Sequence, residues 1–299
     1  MSTTMRRIIL LCLGVLAGMA AWPVAELIVT LQAHFGSYLV LQSVLGAAVG
    51  LVLGAAFGSA EGLFARDRRR MASGALVGAS IGAAGGIVGS LAGQAFLLMV
   101  GERLMASFRS QRSFSRVVLP VSRALAWAVL GLFVGAGEGV RARSPRKVAV
   151  GLLGGLSGGI VGGALLEYSR LLLPLAAASR LIGLVVLGVS VAFFHGLIER
   201  GFAAGVLRVL NGRLKGKEFL INQRRLRIGA SSRNEIALSG YDDLAERHAE
   251  LRLRRGEVVL TSLERGRPVL VNDRPTEERS LKYEDVLKVG SAKLFFRYE

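Results

Sequence analysis

Residues 46–62 read GAAVGLVLGAAFGSAEG, an apolar run in which a glycine recurs at every fourth position. Four-residue spacing keeps the glycines close to one stripe of a helix, so that a second backbone can approach the stripe closely. Because lipid supplies no hydrophobic drive for helix association, such stripes are typical of paired transmembrane helices. The stretch therefore predicts a membrane-spanning helix that packs tightly against another.

Glycines with this spacing continue through the later apolar stretches of the chain. The positions that we take as helix-packing candidates are Gly50, Gly54, Gly58, Gly78, Gly82, Gly155 and Gly159. Packing inside one helical bundle is the interpretation that we favour. Homo-oligomerisation through a glycine face and a glycine-lined pore are the two alternatives.

Six apolar stretches are long enough to be membrane spans, since a helix crosses the hydrocarbon core with about 20 mostly apolar residues. They are residues 8–30, 39–63, 73–99, 120–140, 148–174 and 181–198. The chain is 52% hydrophobic and has a mean hydropathy of +0.49, which is too apolar for a soluble domain of this size. We therefore predict an α-helical membrane bundle over residues 1–212. The opening stretch resembles a signal peptide, but more spans follow it, so we interpret it as an uncleaved first span.

The formal net charge of +17 comes mostly from the membrane half of the chain. Basic loops of a membrane protein explain such an excess, and we expect no nucleic-acid partner. Basic clusters precede span one and follow spans two and four, at residues 6–7, 66–70 and 141–147. The positive-inside rule puts these clusters, and with them both termini, on the cytoplasmic side. Residues 101–120 carry four arginines yet fall on the outer side, so the side of this segment stays open.

The membrane half contains an internal repeat. The stretch GSAEGLFARDRRRMASGALVG from Gly58 aligns with GAGEGVRARSPRKVAVGLLGG from Gly135, at an offset of 77 residues. Each copy, at about 46–95 and about 123–172, is a helix, a basic loop and a returning helix. The copies therefore share one orientation and are parallel repeats. A third, partial copy begins at His195, where the basic loop leads into the C-terminal module.

Ionisable residues inside the spans are candidates for function, because a charge in the bilayer is costly. They are Glu26, Glu61, Glu138, Glu167 and His195. Glu61 and Glu138 lie at the cytoplasmic ends of their spans, within reach of the arginine clusters. Ion pairing is the interpretation that we favour for them, and an ion or proton pathway is the alternative.

After Gly216 the pattern changes to short β-rich runs separated by turn residues. The runs are KEFLIN, RRLRIGA, NEIAL, HAELRLRR, EVVLTSL, PVLVND, VLKVG and AKLFFRY. Strands this short with turns this frequent predict an all-β sandwich over residues 215–299. The pair Asn272-Asp273 is predicted to form a hairpin turn.

The order of landmarks in this module resembles that of the forkhead-associated (FHA) family. The family has Ile-Gly-Arg, Asn-x-Ile-x-Leu, Ser-x-x-His-Ala, Val-Asn-Gly and Leu-x-x-Gly-Asp in this order. The chain has RIGA at 227–230, NEIAL at 234–238, AERHA at 245–249, VND at 271–273 and LKYEDV at 281–286. The chain is thus similar to a bacterial FHA domain-containing membrane protein, and the resemblance implies an FHA-type sandwich facing the cytoplasm.

The resemblance also implies where a phosphothreonine would be contacted. The family's Arg after Ile-Gly and its Ser before x-x-His are Ala230 and Ala245 here, and only His248, which supports loop packing in the family, is kept. Each lost charge-assisted bond is worth about 1.5–3 kcal/mol. We therefore expect ordinary phosphothreonine binding to be weak or absent.

Other polar residues in or beside the same loops are candidates for a relocated anion site or partner site. They are Ser231, Ser232, Arg233, Arg247, Arg265 and Arg267. The alternative is that they are solvated loop residues of a basic surface.

Together these patterns predict a scaffold protein of the bacterial inner membrane, whose FHA-like module docks a cytoplasmic protein, phosphorylated or not. Degenerate modules of this type resemble those in cytoplasmic parts of bacterial secretion assemblies. Membrane lipid and a second copy of the chain are the other expected partners. Two alternatives stay open: a channel or transporter regulated by the module, and a phosphothreonine-dependent signalling adaptor. The sequence has no catalytic motif, cofactor loop or metal-ligand cluster, so we expect no enzymatic activity, cofactor or metal.

Overall fold

The computed structural model describes residues 3–65, 67–107, 117–172, 175–254, 256–264 and 266–298. Among these residues, six long α-helices are followed by eleven β-strands, which confirms the predicted helical bundle and C-terminal β-sandwich. The chain divides into two compact units, Arg6–Ile198 and Met1–Met5 together with Glu199–Glu299. We call the first the membrane unit and the second the β unit.

The six helices coincide with the six predicted spans. They are α1 (Thr3–Thr30), α2 (Tyr38–Ala65), α3 (Arg68–Ser107), α4 (Leu119–Arg141), α5 (Pro145–Leu172) and α6 (Ala176–Gly201). Each contains a stretch that is long and apolar enough to cross a membrane. Helix α3 continues into the segment 101–120, whose side the sequence leaves open, and Arg109, Arg112 and Arg116 of that segment lie outside the described residues.

The two basic loops of the repeat end in equivalent helix caps. The carboxylate of Asp67 accepts hydrogen bonds from the backbone N–H groups of Arg69 and Arg70, at 2.9 and 3.1 Å. The hydroxyl of Ser144, 77 residues later, accepts one from the N–H of Lys147 at 3.4 Å. A side-chain oxygen at this position satisfies N–H groups that have no partner inside the helix. The repeat therefore starts its two returning helices in the same way.

The glycine stripes bring α2 and α3 into backbone contact. A Cβ atom added to Gly50 would lie 2.0 Å from the carbonyl oxygen of Gly82, and one added to Gly54 would lie 2.1 Å from that of Gly78. Gly58 faces Gly74 in the same way, at 2.2 Å. These distances are far below van der Waals contact, so only glycine allows the two backbones to pack this closely.

The second repeat reproduces the same contacts between α4 and α5. An added Cβ at Gly131 would lie 2.3 Å from the carbonyl oxygen of Gly155, and one at Gly135 would lie 2.0 Å from that of Gly151. These pairs are the counterparts of Gly54–Gly78 and Gly58–Gly74 at the offset of 77 residues. Gly159 lies against the backbone of Trp127 on the same helix pair.

Helix α6, in which the predicted third copy begins, packs closely against α1. An added Cβ at Gly14 would lie 2.5 Å from the carbonyl oxygen of Gly188, and one at Gly18 would lie 2.5 Å from that of Leu184. The chain leaves α6 for the β unit, so the returning helix of the third pair comes from the N-terminus. Glycines thus allow close backbone contact of α2 with α3, of α4 with α5, and of α6 with α1. Helices α3 and α4 approach each other as closely at Gly89 and Ala126, as do α5 and α6 at Gly158 and Val191.

The β unit is a sandwich of two sheets. Its strands are β1 (Val206–Val209), β2 (Glu218–Leu220), β3 (Arg225–Gly229), β4 (Ile236–Ala237), β5 (Ala249–Arg254), β6 (Glu257–Ser262), β7 (Val269–Val271), β8 (Arg274–Thr276), β9 (Glu278–Ser280), β10 (Val286–Val289) and β11 (Ala292–Arg297). One sheet has the order β2-β1-β11-β10-β7-β8, and the other has the order β4-β3-β5-β6-β9. Their inner faces form one apolar core, to which Leu207, Phe296, Ile228 and Leu251 all contribute. The alternation of buried and exposed residues follows from the pleat of each strand.

The β unit begins earlier than the predicted boundary at residue 215. Strand β1 pairs with both β2 and β11, and its residues Val206, Leu207 and Val209 are fully buried. Strands β8 and β9 were also not predicted. The predicted hairpin at Asn272-Asp273 is confirmed: both residues have positive φ angles, 52° and 61°, and they join β7 to β8.

Candidate functional site

Two loops of the β unit lie side by side: the loop between β3 and β4 and the loop between β4 and β5. The backbone N–H of Ala230 donates to the carbonyl oxygen of Ala245 at 3.0 Å, and that of Ser231 donates to the carbonyl oxygen of Glu246 at 3.3 Å. The side-chain amide of Asn234, which is buried, donates to the same oxygen of Glu246 at 2.6 Å. Hydrogen bonds within the protein therefore hold these loops together.

Ala230 and Ala245 are direct neighbours in this arrangement. They stand where the FHA resemblance places an arginine and a serine that contact phosphothreonine. Both side chains are methyl groups here, which cannot donate hydrogen bonds to a phosphate. The loop framework is thus present, with apolar methyl groups at the two positions to which the resemblance assigns the phosphate contacts.

His248 connects these loops to the sheet. It is fully buried, its backbone N–H donates to Ile228 and its carbonyl oxygen accepts from Leu263, both at 2.9 Å. Its Nδ1 accepts the N–H of Ala245 at 3.2 Å, which assigns the ring proton to Nε2. Nε2 is buried and makes no hydrogen bond of good geometry to the described residues. Burial lowers the pKa of His248 below its usual value, and the backbone of Arg267 offsets part of this effect.

The structure separates the predicted site residues into two groups. Ser231, Ser232 and Arg233 lie in the loop after β3, where the Ser231 hydroxyl accepts the N–H of Arg233 at 3.3 Å. Arg247 lies in the adjoining loop before β5, and it is exposed, as Ser232 and Arg233 are. Arg267 is also exposed but lies in the loop between β6 and β7. Arg265 of that loop lies outside the described residues.

Arg267 borders a groove of about 520 Å³ on the β unit. Lys288 of β10 and Lys293 of β11 line the same groove and lie directly opposite each other in the ladder. Among its described lining residues, these three cations face a single carboxylate, that of Asp243, and the groove also reaches His248. A groove with this charge suits an acidic or phosphorylated segment of a partner.

Lys288 and Lys293 were not among the sequence candidates. The signal was present, since each lysine occupies the outward position of a strand whose neighbouring residues are apolar: VLKV and AKLFFR. What the sequence does not show is that β10 and β11 place the two lysines opposite each other and beside the loop of Arg267.

The outer face of the other sheet carries charges that neutralise one another. The carboxylate of Glu250 is fully buried between the guanidinium groups of Arg225 and Arg252, with which it forms ion pairs. Burial alone would raise the pKa of Glu250, but hydrogen bonds from the two arginines outweigh it and the pKa is lowered. Arg254 pairs with Glu278 at 3.2 Å on the same face. This face therefore presents less uncompensated charge than the groove.

The expected ion pairing of Glu61 and Glu138 is present in the membrane unit. Glu61 pairs with Arg141 and, at 2.7 Å, with Lys147. Lys147 also reaches Glu138, at 3.2 Å. The two acids of the repeat thus share one lysine.

The other two acidic candidates, Glu26 and Glu167, are also paired. They lie at the end of the bundle opposite to Glu61 and Glu138. Glu26 accepts two hydrogen bonds from the guanidinium of Arg180, at 2.6 and 2.8 Å. Glu167 accepts the indole N–H of Trp127 at 3.0 Å and forms ion pairs with Arg123 and Arg170. His195, the remaining ionisable candidate, packs against Gly154 of α5. The described residues contain no group of three or more side chains that could hold a metal ion.

Residues 208–299 match the family described as the inner membrane component of T3SS, cytoplasmic domain. The chain therefore joins six apolar helices to a β-sandwich that matches this family. This is a membrane protein with a C-terminal FHA-like domain. We refer to the β unit as the FHA-like domain from here on.

Solved structures of FHA domains resemble the FHA-like domain. One, from work on phosphothreonine-dependent FHA domain interactions, is 22% identical, with a TM-score of 0.30, and covers 32% of this chain and 96% of its own. The FhaA FHA domain, solved with the intracellular domain of Rv3910, is 22% identical, with a TM-score of 0.29, and covers 31% and 99%. The FHA domain of CT664 from Chlamydia trachomatis is 22% identical, with a TM-score of 0.29, and covers 32% and 97%. A comparison with curated protein sequences finds no significant match.

Proposed function

We propose that this protein is a scaffold of the bacterial inner membrane, anchored by the membrane unit, whose FHA-like domain docks a cytoplasmic protein. The matching family is described as a cytoplasmic domain of an inner membrane component. This description supports both the location in the inner membrane and the cytoplasmic side of the FHA-like domain. The positive-inside rule supports the same orientation, with both termini in the cytoplasm. A partner within a secretion assembly is the one that the family description favours.

The observation that carries the proposal is the adjacency of Ala230 and Ala245 in an otherwise intact loop framework. The hydrogen bonds of Asn234 and His248 keep the loops in place, so the surface is still built. At the two positions to which the resemblance assigns phosphate contacts, the chain has only the methyl groups of Ala230 and Ala245. A recognition surface that is retained without these contacts is best explained by docking that does not need phosphothreonine.

The docking face is proposed to be the loop end and the groove that adjoins it. Arg233 and Arg247 lie exposed in the two loops, and Arg267, Lys288 and Lys293 border the groove. The outer face of the opposite sheet carries arginines whose charge is met by Glu250 and Glu278. We therefore propose that the partner presents an acidic segment to the groove, with rim charges that steer its approach.

The test is a calorimetric titration of the full chain in lipid nanodiscs with matched phosphothreonine and unphosphorylated peptide pools. We expect no discrimination between the pools. The double variant Ala230→Arg with Ala245→Ser restores the family's two side chains and is expected to gain preference for the phosphorylated pool. Micromolar phosphate-dependent binding by the unmodified protein, lost on Arg233→Ala, would instead support the phosphothreonine-dependent adaptor.

A further inference from the structure

The membrane unit contains a cavity of about 650 Å³ at the end of the bundle where α1 and α5 finish and α2, α4 and α6 begin. Residues from all six helices line it. Its volume lies within the range of about 300–1,000 Å³ that is typical of sites for small ligands. Neither helix packing nor partner docking by the FHA-like domain explains a cavity here.

Among the described residues, three arginines line this cavity: Arg123, Arg170 and Arg180. Arg180 is matched by Glu26 through two hydrogen bonds. Arg123 and Arg170 share one carboxylate, that of Glu167, at 3.5 and 3.3 Å. One guanidinium charge in this group therefore has no carboxylate of its own among the residues whose side chains the structure describes.

Glu167 has little capacity left for its two arginines. Its side chain is 2% exposed, its Oε1 accepts the indole N–H of Trp127, and its Oε2 receives both guanidinium groups. The Nε of Arg170 is buried and makes no hydrogen bond to the described residues. Buried donors in proteins are nearly always paired, so an unpaired guanidinium donor at a cavity points to an acceptor that enters from outside the chain.

The rest of the lining has two characters. Gln42, Gln94 and Ser90 supply polar groups, while Leu41, Leu45 and Leu97 supply apolar surface. A soluble anion would not cover the apolar surface of the leucines, and a hydrocarbon chain would not accept hydrogen bonds from the guanidinium groups. An amphiphile with an anionic head satisfies both parts.

We propose that this cavity binds the headgroup phosphate of an anionic phospholipid, with Arg170 and Arg123 on the phosphate and the leucines along the first part of an acyl chain. Guanidinium groups pair with phosphate through two parallel hydrogen bonds, which a point charge does not provide. The uncompensated charge favours a lipid with net negative charge over a zwitterionic lipid that carries the same phosphate. The bound lipid would complete the ion-pair cluster that joins α4 and α5.

The test is native mass spectrometry of the full chain in detergent, titrated with phosphatidylglycerol and with phosphatidylcholine of the same acyl chains. We expect phosphatidylglycerol to bind about tenfold more tightly, and Arg170→Gln to abolish that preference. Arg170→Lys, which keeps the charge but not the planar fork, should fall between the two. Arg69→Gln, an exposed arginine at the start of α3, is the matched control and should leave the preference unchanged.

A second variant keeps the test independent of the stability of the cluster. Leu45→Trp fills part of the cavity without removing a charge, and it is also expected to weaken phosphatidylglycerol binding. In parallel, the melting temperature of the lipid-free chain is followed as inorganic phosphate or, separately, phosphatidylglycerol is added. Equal binding of the two lipids, or phosphatidylglycerol binding that survives both Arg170→Gln and Leu45→Trp, would overturn the proposal. Stabilisation by inorganic phosphate as large as that by the lipid would overturn it in favour of a soluble anion.

Discussion

The Nζ of Lys147 lies 2.7 Å from the Oε1 of Glu61, although the two residues belong to different copies of the internal repeat. The Lys147 side chain is 9% exposed, and it is shared with Glu138, its own repeat's counterpart of Glu61. Arg141 adds a second cation on Glu61. The repeat thus places acids and bases so that they pair between copies, which links α2 to α4 and α5.

Glu61→Gln should destabilise the membrane unit by about 3 kcal/mol, because it leaves a buried lysine with only one carboxylate. Lys147→Met in the same background should recover part of the loss, since it removes the unmatched charge. Thermal unfolding in detergent, analysed as a double-mutant cycle, measures the coupling. Additive effects of the two substitutions would contradict the pairing across the repeat.

Gly54→Ala should destabilise the bundle by about 1–3 kcal/mol, because the new methyl group would meet the carbonyl oxygen of Gly78 at 2.1 Å. Gly131→Ala should do the same in the second repeat, where the distance to the carbonyl oxygen of Gly155 is 2.3 Å. Alanine normally stabilises a helix relative to glycine, so the expected sign is diagnostic.

Gly196→Ala is the control for these two substitutions, since an added Cβ there would have its nearest neighbour at 3.9 Å. Melting temperatures and the mass of the particle in detergent are measured for all three variants. A loss of oligomers at unchanged monomer stability would support homo-oligomerisation through the glycine face instead of packing within the bundle.

Much of the membrane unit follows from the sequence, since an apolar run of about 20 residues specifies a span and a four-residue glycine spacing specifies a close contact. The partner of each glycine stripe was harder to predict. The pairs α2–α3 and α4–α5 are adjacent in the chain, but the contact of Gly14 with Gly188 joins residues at opposite ends of the membrane unit. Local patterns do not contain this information.

In the β unit, too, local features could be predicted from the sequence, while long-range contacts could not. Asn272-Asp273 was predicted because a two-residue turn with positive φ is a local property. Strand β1 was missed because VLRV is short, follows a helix closely, and gains its place from pairing with β11 at the far end of the domain. The burial of Glu250 was also missed, because it depends on Arg225 of β3, which only the sheet register brings to its side, as well as on Arg252, which shares its face of β5.

A fragment of residues 202–299 should fold by itself, whereas one of residues 215–299 should not. The shorter fragment lacks β1, which lies between β2 and β11 and buries Val206, Leu207 and Val209 completely. Burial of such side chains contributes about 1.5–3 kcal/mol each, which is a large part of the stability of a small domain. Cooperative urea unfolding and amide dispersion in NMR spectra distinguish the two. A cooperatively folded 215–299 fragment would show that β1 is dispensable.

The stability of the 202–299 fragment should depend on pH in two windows, one for each of two buried groups. The folded pKa of His248 lies below its usual 6.5, so the unfolded chain takes up the proton first and the free energy of unfolding decreases as pH falls below 6.5. The folded pKa of Glu250 lies below its usual 4.5, so its contribution is present above pH 4.5 and is lost as pH falls below that value.

Urea titrations of the fragment across this pH range, with His248→Gln and Glu250→Gln as variants, assign the two windows. His248→Gln should flatten the curve as pH falls below 6.5, and Glu250→Gln should flatten it as pH falls below 4.5. An unchanged slope in either variant would mean that another group titrates in that window.

Docking of a cytoplasmic protein on the groove side of the FHA-like domain can be tested in cells. Its most direct test is site-specific photocrosslinking in cells that make the full chain, with the crosslinker at Lys293 in the groove or at Arg254 on the opposite sheet. We expect one defined adduct from Lys293, reduced by Arg267→Glu with Lys288→Glu, and none from Arg254. Equal adducts from both positions, or an adduct at Lys293 that ignores the charge reversals, would contradict it.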